Sequence, residues 1–346
     1  MKKKLAGNVA ILLLLTALGV SLLLAVTFGS TKIPVSQVYG VIAHQLGIAA
    51  EAQPNVITDV VWLIRLPRLV LAIAVGAALS VSGVVMQAVV RNPLADPYAL
   101  GVSSGAYLGA SMCILLGFGS TLGGNAPGIM AFIGAFTVSI AVALIAGIGG
   151  RSNTVRLLLA GMAVSAVCSS FSSFLIYRTN SADRVQSVTR WMMGGLGGAK
   201  WPTNTVVGAV VIVCILFFWT QFRSLNLVLL GDETAVALGT NSRNRRLFYM
   251  LVSSLMVGFA VFSAGMIGFV GLLIPHVIRI IFGSDHRRLI PLSALCGSIF
   301  LVWADVLCRV VIKGAELPIG ILTSMTGAPF FVYLMARRKY SFGGQN

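Results

Sequence analysis

The sequence predicts an all-α, polytopic integral membrane protein with about ten transmembrane helices. Three observations carry the prediction. Of 346 residues, 57% are hydrophobic and only 10% are charged, with a mean hydropathy of +0.94. A soluble domain carries about a quarter charged residues, so a chain this apolar needs lipid as its solvent. The apolar residues fall in repeated runs of about 20, the length that crosses a bilayer as a helix. The charges lie between those runs, where orientation signals belong. The net charge of +16 is therefore not gathered on one basic face, and nucleic-acid binding is not expected.

The elements follow in order. Lys2-Lys-Lys4 precedes a first span, Val9–Phe28, longer than the apolar core of a signal peptide and without a clear cleavage site, so it reads as a retained helix. Thr31–Asp59 is an external stretch with Pro34 and Pro54. Arg65-Leu-Pro-Arg68 opens the second span, Leu69–Val90, which carries no charge. Next comes a polar, proline-punctuated break, Arg91–Ala106. In lipid such a break would strand backbone donors and acceptors, so it must lie at a membrane face or be buried against protein; the charge count places its Arg91 end at the cytoplasmic face. A short third span covers about Gly101–Leu116, and a fourth about Gly128–Ile148.

The fifth span, Leu157–Tyr177, carries Ser165, Ser169, Ser170, Ser172 and Ser173. These hydroxyls either bond back to their own helix carbonyls or form a pore-lining or packing face. Arg178–Pro202 is external, and the sixth span is Thr203–Phe222. The longest internal segment, Arg223–Arg246, is followed by spans seven (Leu247–Ala264), eight (Gly265–Phe282, short and interrupted by glycine and Pro275), nine (Ile290–Val311) and ten (Pro318–Ala336). With the N-terminus inside, 16 of the 25 basic residues fall on the inner face and 9 outside. That is the expected bias, and losing one span would invert everything after it. Both termini are thus expected in the cytoplasm.

Site chemistry is sparse. Cys113, Cys168, Cys214, Cys296 and Cys308 lie in apolar runs without a Cys-x-x-Cys pair and read as small buried hydrophobes. His44, His276 and His286 are scattered, so no metal site is expected, and no cofactor. There is no Gly-x-x-x-x-Gly-Lys-Ser/Thr phosphate loop. No constellation of catalytic groups is legible, so the chain is not expected to be an enzyme. An ion-gradient-driven transporter should show acids deep in its spans; Asp305, near a span end, is the one acid that comes close.

Arg65-Leu-Pro-Arg68, Gly76-Ala-Ala-Leu-Ser-Val-Ser-Gly83, Asn92-Pro-Leu-Ala-Asp-Pro97, Gly101-Val-Ser-Ser-Gly-Ala106, Trp191-Met-Met-Gly-Gly195, Gly268-Phe-Val-Gly-Leu-Leu-Ile-Pro-His276 and Leu317-Pro-Ile-Gly320 occur in this order. Together they resemble the FecCD family of ABC-transporter permeases, from about Arg65 to the C-terminus. The resemblance implies residues 1–346 as a single transmembrane permease domain, with a cytoplasmic coupling loop at about 223–246. It implies import of iron chelates such as ferric siderophores, with haem or vitamin B12 as alternatives. The expected partners are a second permease subunit (an identical copy or a paralogue), two cytoplasmic ATPase subunits, an extracytoplasmic substrate-binding protein and the lipid bilayer of a bacterial plasma membrane. ATP hydrolysis would occur on the separate ATPase chains.

The resemblance also implies residue roles. Arg65, Arg68 and Arg309 are expected to dock carboxylates of the binding protein, since a guanidinium fork suits a carboxylate. The competing reading is that they anchor helix ends, with Asp305 and Arg309 neutralising one another at i, i+4. Gly231, Asp232, Glu233, Ala235, Leu238 and Gly239 are expected to contact the ATPase. Asn153, Thr154 and Val155 occupy the place of an inner gate, though Val155 departs from that gate's hydroxyl pattern. His276 reads as a packing or loop-bonding histidine rather than a ligand.

Overall fold

The computed structural model describes residues 2–29, 31–48, 55–98, 100–147, 154–230, 242–312 and 314–337. All regular structure among them is helical. The helices are α1 (Lys2–Ala25), α2 (Val35–Gln45), α3 (Asn55–Thr58), a π-helical stretch (Asp59–Arg65), α4 (Leu66–Val90), α5 (Val102–Leu116), α6 (Ala126–Gly147), α7 (Thr154–Arg178), α8 (Ala182–Met192), α9 (Trp201–Thr220), α10 (Phe222–Leu229), α11 (Ser242–Ala264), α12 (Val270–Phe282), α13 (His286–Val310) and α14 (Ile319–Arg337). A 3₁₀ turn, Ser120–Leu122, joins α5 to α6.

Each of the ten expected spans has its helix. Seven helices are long and apolar enough to cross a membrane; α5, α12 and α14 are shorter. The 13 residues of α12 rise about 20 Å, less than the roughly 30 Å hydrocarbon layer. One end of α12 therefore lies inside it. The pattern of apolar runs did not resolve the short helices α2, α8 and α10, or the helical turns that extend α4 upstream. The three short helices are amphipathic or polar segments, which a 20-residue apolar window passes over; the turns before α4 are apolar but carry Asp59 and Arg65, which set them apart from the uncharged run.

The bundle is organised around α4. Its residues are apolar nearly all the way round, and 22 of its 25 are buried, as a helix without a polar face requires. Glycines let its neighbours approach: a Cβ at Gly76 would collide with the Gly297 backbone on α13, and one at Gly83 with the Gly271 carbonyl on α12. Small residues at crossings substitute close van der Waals contact for a hydrophobic force that lipid does not supply. Trp62 and Trp201 meet at one end with their rings tilted by 41° and 5.4 Å between centroids, and Trp201 Nε1 donates to the Trp62 carbonyl at 2.9 Å. Trp219 Nε1 donates to the Arg287 carbonyl at the opposite end. Amphipathic rings at both ends mark the two membrane–water interfaces. Gly7 on α1 lies against Arg288, so the lysine-rich start of α1 shares its end of the bundle with the start of α13.

The stretch after α4 takes the second of its two alternatives. Arg91 adopts a left-handed conformation (φ 52°) that ends the helix. Asn92 Oδ1 then accepts from the Leu94 N–H, and Asp96 Oδ1 from the Tyr98 N–H, closing two local turns. Pro93, Ala95, Pro97 and Leu100 are buried. Pro97 packs on Gly271, which also touches the Leu79 carbonyl near the middle of α4. This part of the segment folds back into the protein, which supplies the partners lipid lacks.

Candidate functional site

Four helices and one turn meet at the Arg65 end. Arg65 is buried and faces inward. Its guanidinium donates to the carbonyls of Val26 and Thr27 at 3.0 and 3.1 Å and of Thr31 at 2.5 Å. The first two carbonyls follow directly on the last turn of α1, so the guanidinium sits at the negative pole of that helix. Arg309 reaches the same place from α13, donating to the Phe28 carbonyl at 3.0 Å. Arg68, three positions on, falls short of a full turn from Arg65 and points to one side of it: Nε meets Asp305 Oδ1 at 2.7 Å, and Nη1 meets both carboxylate oxygens of Glu316 at 2.8 and 2.9 Å. Asp305 is fully buried and also meets Arg309 Nε at 3.1 Å.

The three arginines expected to face a partner thus have buried side chains engaged within the chain. The i, i+4 neutralisation of Arg309 by Asp305 is present, with Arg68 as a third member. Three guanidinium groups face two carboxylates, so the cluster keeps an excess positive charge. Its surface member is Glu316, whose side chain is 53% exposed. Beside it opens a cavity of about 470 Å³ lined by Arg68, Arg190, Trp191, the 194–198 loop and Glu316. The exposed Arg190 of α8 adds a second positive charge to this mouth. Sequence reasoning missed Glu316 and Arg190; an acid directly before Leu317-Pro-Ile-Gly320 was the available signal for the former.

Three breaks in the helices line this mouth: 193–200 between α8 and α9, 265–269 between α11 and α12, and 314–318 between α13 and α14. Their backbones are tied together. Gly195 N–H donates to the Ala264 carbonyl at 2.8 Å, and Gly320 N–H to the Met193 carbonyl at 3.0 Å. Phe269 at the middle break holds a left-handed conformation, φ 67°, a strained setting for a bulky residue.

At the opposite end, α10 is locked to the start of α13. Asn226 Nδ2 donates to Asp285 Oδ1 at 3.0 Å, while Asn226 Oδ1 accepts from the His286 backbone N–H at 3.1 Å and lies 2.6 Å from His286 Nδ1. Asp285 caps α13 by accepting from the Arg287 N–H. Partial burial alone would raise its carboxyl pKa. The Asn226 and Arg287 hydrogen bonds, with the nearby Arg288 charge, outweigh burial and hold it below the usual carboxylate value. The expected coupling residues Gly231, Asp232, Glu233, Ala235, Leu238 and Gly239 lie outside the described residues, directly after α10. Of the expected gate, Asn153 also lies outside them; Thr154 begins α7, and Val155 is 59% exposed. On α7, Ser172 bonds back to the Cys168 carbonyl at 3.0 Å, as the first alternative has it, while Ser169, Ser170 and Ser173 are exposed.

The FecCD transport family matches residues 15–337. The chain is 41% identical over 292 residues to the hemin transport system permease protein HmuU of Yersinia pestis, covering 82% of this chain and 85% of that one. It is 42% identical over 277 residues to the vitamin B12 import system permease protein BtuC of Salmonella typhi, covering 80% and 83%. Among solved structures, an inward-facing metal-chelate type ABC transporter superposes with a TM-score of 0.82 at 28% identity, over 95% of this chain and 99% of that one. The ordered motifs, the ten membrane helices and these similarities agree: the chain belongs to the FecCD transport family of ABC-importer permeases.

Proposed function

We propose that this chain forms half of the translocation pathway of a binding-protein-dependent importer of iron chelates. The observation that carries the reading is α13, a 25-residue helix about 37 Å long. One end holds Asp305 and Arg309 in the charged cluster. The other holds Asp285 and His286 against α10, next to the expected coupling segment. A rigid helix with one end at each membrane face suits a subunit that relays docking to ATP hydrolysis and back.

In this reading the Arg65 end is extracytoplasmic and the termini are cytoplasmic. Arg65 and Arg309 act in docking by fixing the end of α1. Arg68 acts by holding Glu316 at the surface, and the excess positive charge suits carboxylates of a binding protein. Gly231, Asp232, Glu233, Ala235, Leu238 and Gly239 contact one of two ATPase subunits. Asn153, Thr154 and Val155 narrow the inner exit beside a second permease subunit. Ferric siderophores are the cargo that the family resemblance implies. Haem and cobalamin form a second reading, favoured by the hemin and vitamin B12 relatives. Uptake of labelled ferric siderophore, haemin and cyanocobalamin, compared between cells with and without the chain, tests the cargo. Charge reversal at Asp232 and Glu233 tests the coupling: the ATPase should no longer co-purify. Retained co-purification with fully coupled hydrolysis would place the coupling site elsewhere.

A further inference from the structure

Next to the polar mouth lies a second cavity of about 460 Å³, lined by Met192, Met193, Met266 and Met325 together with Gly268, Gly320, Ile321 and Ser324. Four of the chain's 12 methionines meet here, from α8, from two helix breaks and from α14. We propose that this thioether-lined cavity is the contact site for the cargo's body, and that it suits a chelate presenting a broad apolar or aromatic face rather than a polar shell.

Three features support the assignment, which rests on the permease reading above. The first is depth. The break holding Met266 precedes α12, which is too short to span, and Gly271 just beyond it touches the middle of α4. Irregular backbone at membrane depth persists where it is buried in protein or lines a cavity, and interrupted helices meeting there mark transport sites. The second is continuity. The polar mouth is walled by Trp191, Gly194, Gly265 and Ile319, and the methionine cavity by their neighbours Met192, Met193, Met266 and Gly320. The two cavities share the same three segments, so a molecule leaving the charged mouth meets the thioethers next.

The third is chemistry. Methionine is unbranched and polarisable, and its sulfur makes favourable contact with aromatic rings. Such contacts are adaptable and individually weak, as a site that must release its cargo requires. Met325 is 68% exposed and Met192 37%, while Met193 and Met266 are half-buried, so two of the four thioethers are accessible. The wall behind them is stiff: the Gly320–Met193 and Gly195–Ala264 hydrogen bonds pin the backbone, and Gly327 packs under the strained Phe269. A rigid frame carrying flexible side chains fits a bulky, flat cargo without strong directional bonds.

The test uses the whole transporter in proteoliposomes with ATP enclosed. Met325→Cys and Met192→Cys are made in a background whose five native cysteines are replaced by alanine. The expected result is that a bulky thiol reagent lowers ATP-driven haemin or cyanocobalamin uptake by about tenfold or more, and that cargo slows the labelling. Met266→Leu should keep most uptake, and Met266→Asn should lose it. The assignment is overturned if labelled transporter imports at the unlabelled rate. It is also overturned if both cysteines are inaccessible because the partner permease covers the cavity, or if the transporter carries hydrophilic ferrichrome while rejecting haemin and cyanocobalamin. Failure of the permease reading looks different: unmodified transporter would then show no ATP-driven uptake of any of the three.

Discussion

Asp305→Ala should be among the most destabilising single changes in this chain. Asp305 is fully buried and ion-pairs with two guanidinium groups, Arg68 at 2.7 Å and Arg309 at 3.1 Å. Arg68 would keep Glu316, but Arg309 would keep only carbonyl partners. Hydrogen bonds to charged groups contribute about 1.5–3 kcal/mol each, and removing one partner of a buried ion pair costs about 3–5 kcal/mol because a charge is left uncompensated. Loss of about 3–5 kcal/mol is therefore expected. Glu316 makes a bond of similar length to the same Arg68, yet its side chain is half exposed. A water-screened pair contributes about 0.2–1 kcal/mol, so Glu316→Gln should barely register. The assay is detergent unfolding of the purified protein followed by helical circular dichroism. Adding Arg309→Leu to Asp305→Ala should recover at least about 1 kcal/mol, since the orphaned charge is removed. Equal effects of Asp305→Ala and Glu316→Gln would refute the reasoning.

Further outcomes follow from the packing and the caps. Gly83→Ala should destabilise by about 1–3 kcal/mol or more, because its methyl meets the Gly271 backbone rather than a movable side chain; the same unfolding assay applies, with Gly47→Ala, which has open space, as the strained but uncrowded control. Arg65→Ala should free the end of α1, costing about 1.5–3 kcal/mol and raising protease cleavage in the segment after Phe28. Asp285→Ala should cost about 1 kcal/mol through the lost cap. Because the folded state depresses this carboxyl's pKa, its contribution is complete above about pH 4 and fades as pH falls through the folded value. The difference in unfolding midpoint between wild type and Asp285→Asn should therefore shrink on acidification.

How far the sequence was readable depends on the physical signal each feature carries. Spans were legible because burial in lipid demands about 20 apolar residues in a row, and α1, α4, α6, α7, α9, α11 and α13 satisfy it. The short α5 and α12 were legible only through charge bookkeeping, since each must be counted to keep basic residues on one face. The segment after Arg91 showed that it needed backbone partners but not where it found them: Gly271, its neighbour, is 174 positions beyond Pro97, and no local pattern encodes that contact. Arg65 and Arg68 were recognisable as special, but their targets were not. Three positions apart on a helix, they differ in direction just enough that one caps α1 and the other pairs with Asp305 and Glu316. Asn226 gave no signal, because a lone asparagine among leucines becomes a lock only when α10 and α13 are brought together.

The source of energy for uptake separates an ABC importer from a gradient-driven transporter. In proteoliposomes holding the whole transporter, with chelate and binding protein outside and ATP enclosed, uptake should require ATP hydrolysis. It should stop with vanadate and persist when proton and sodium gradients are dissipated. Uptake that continues without ATP and collapses with an ion gradient would contradict the account.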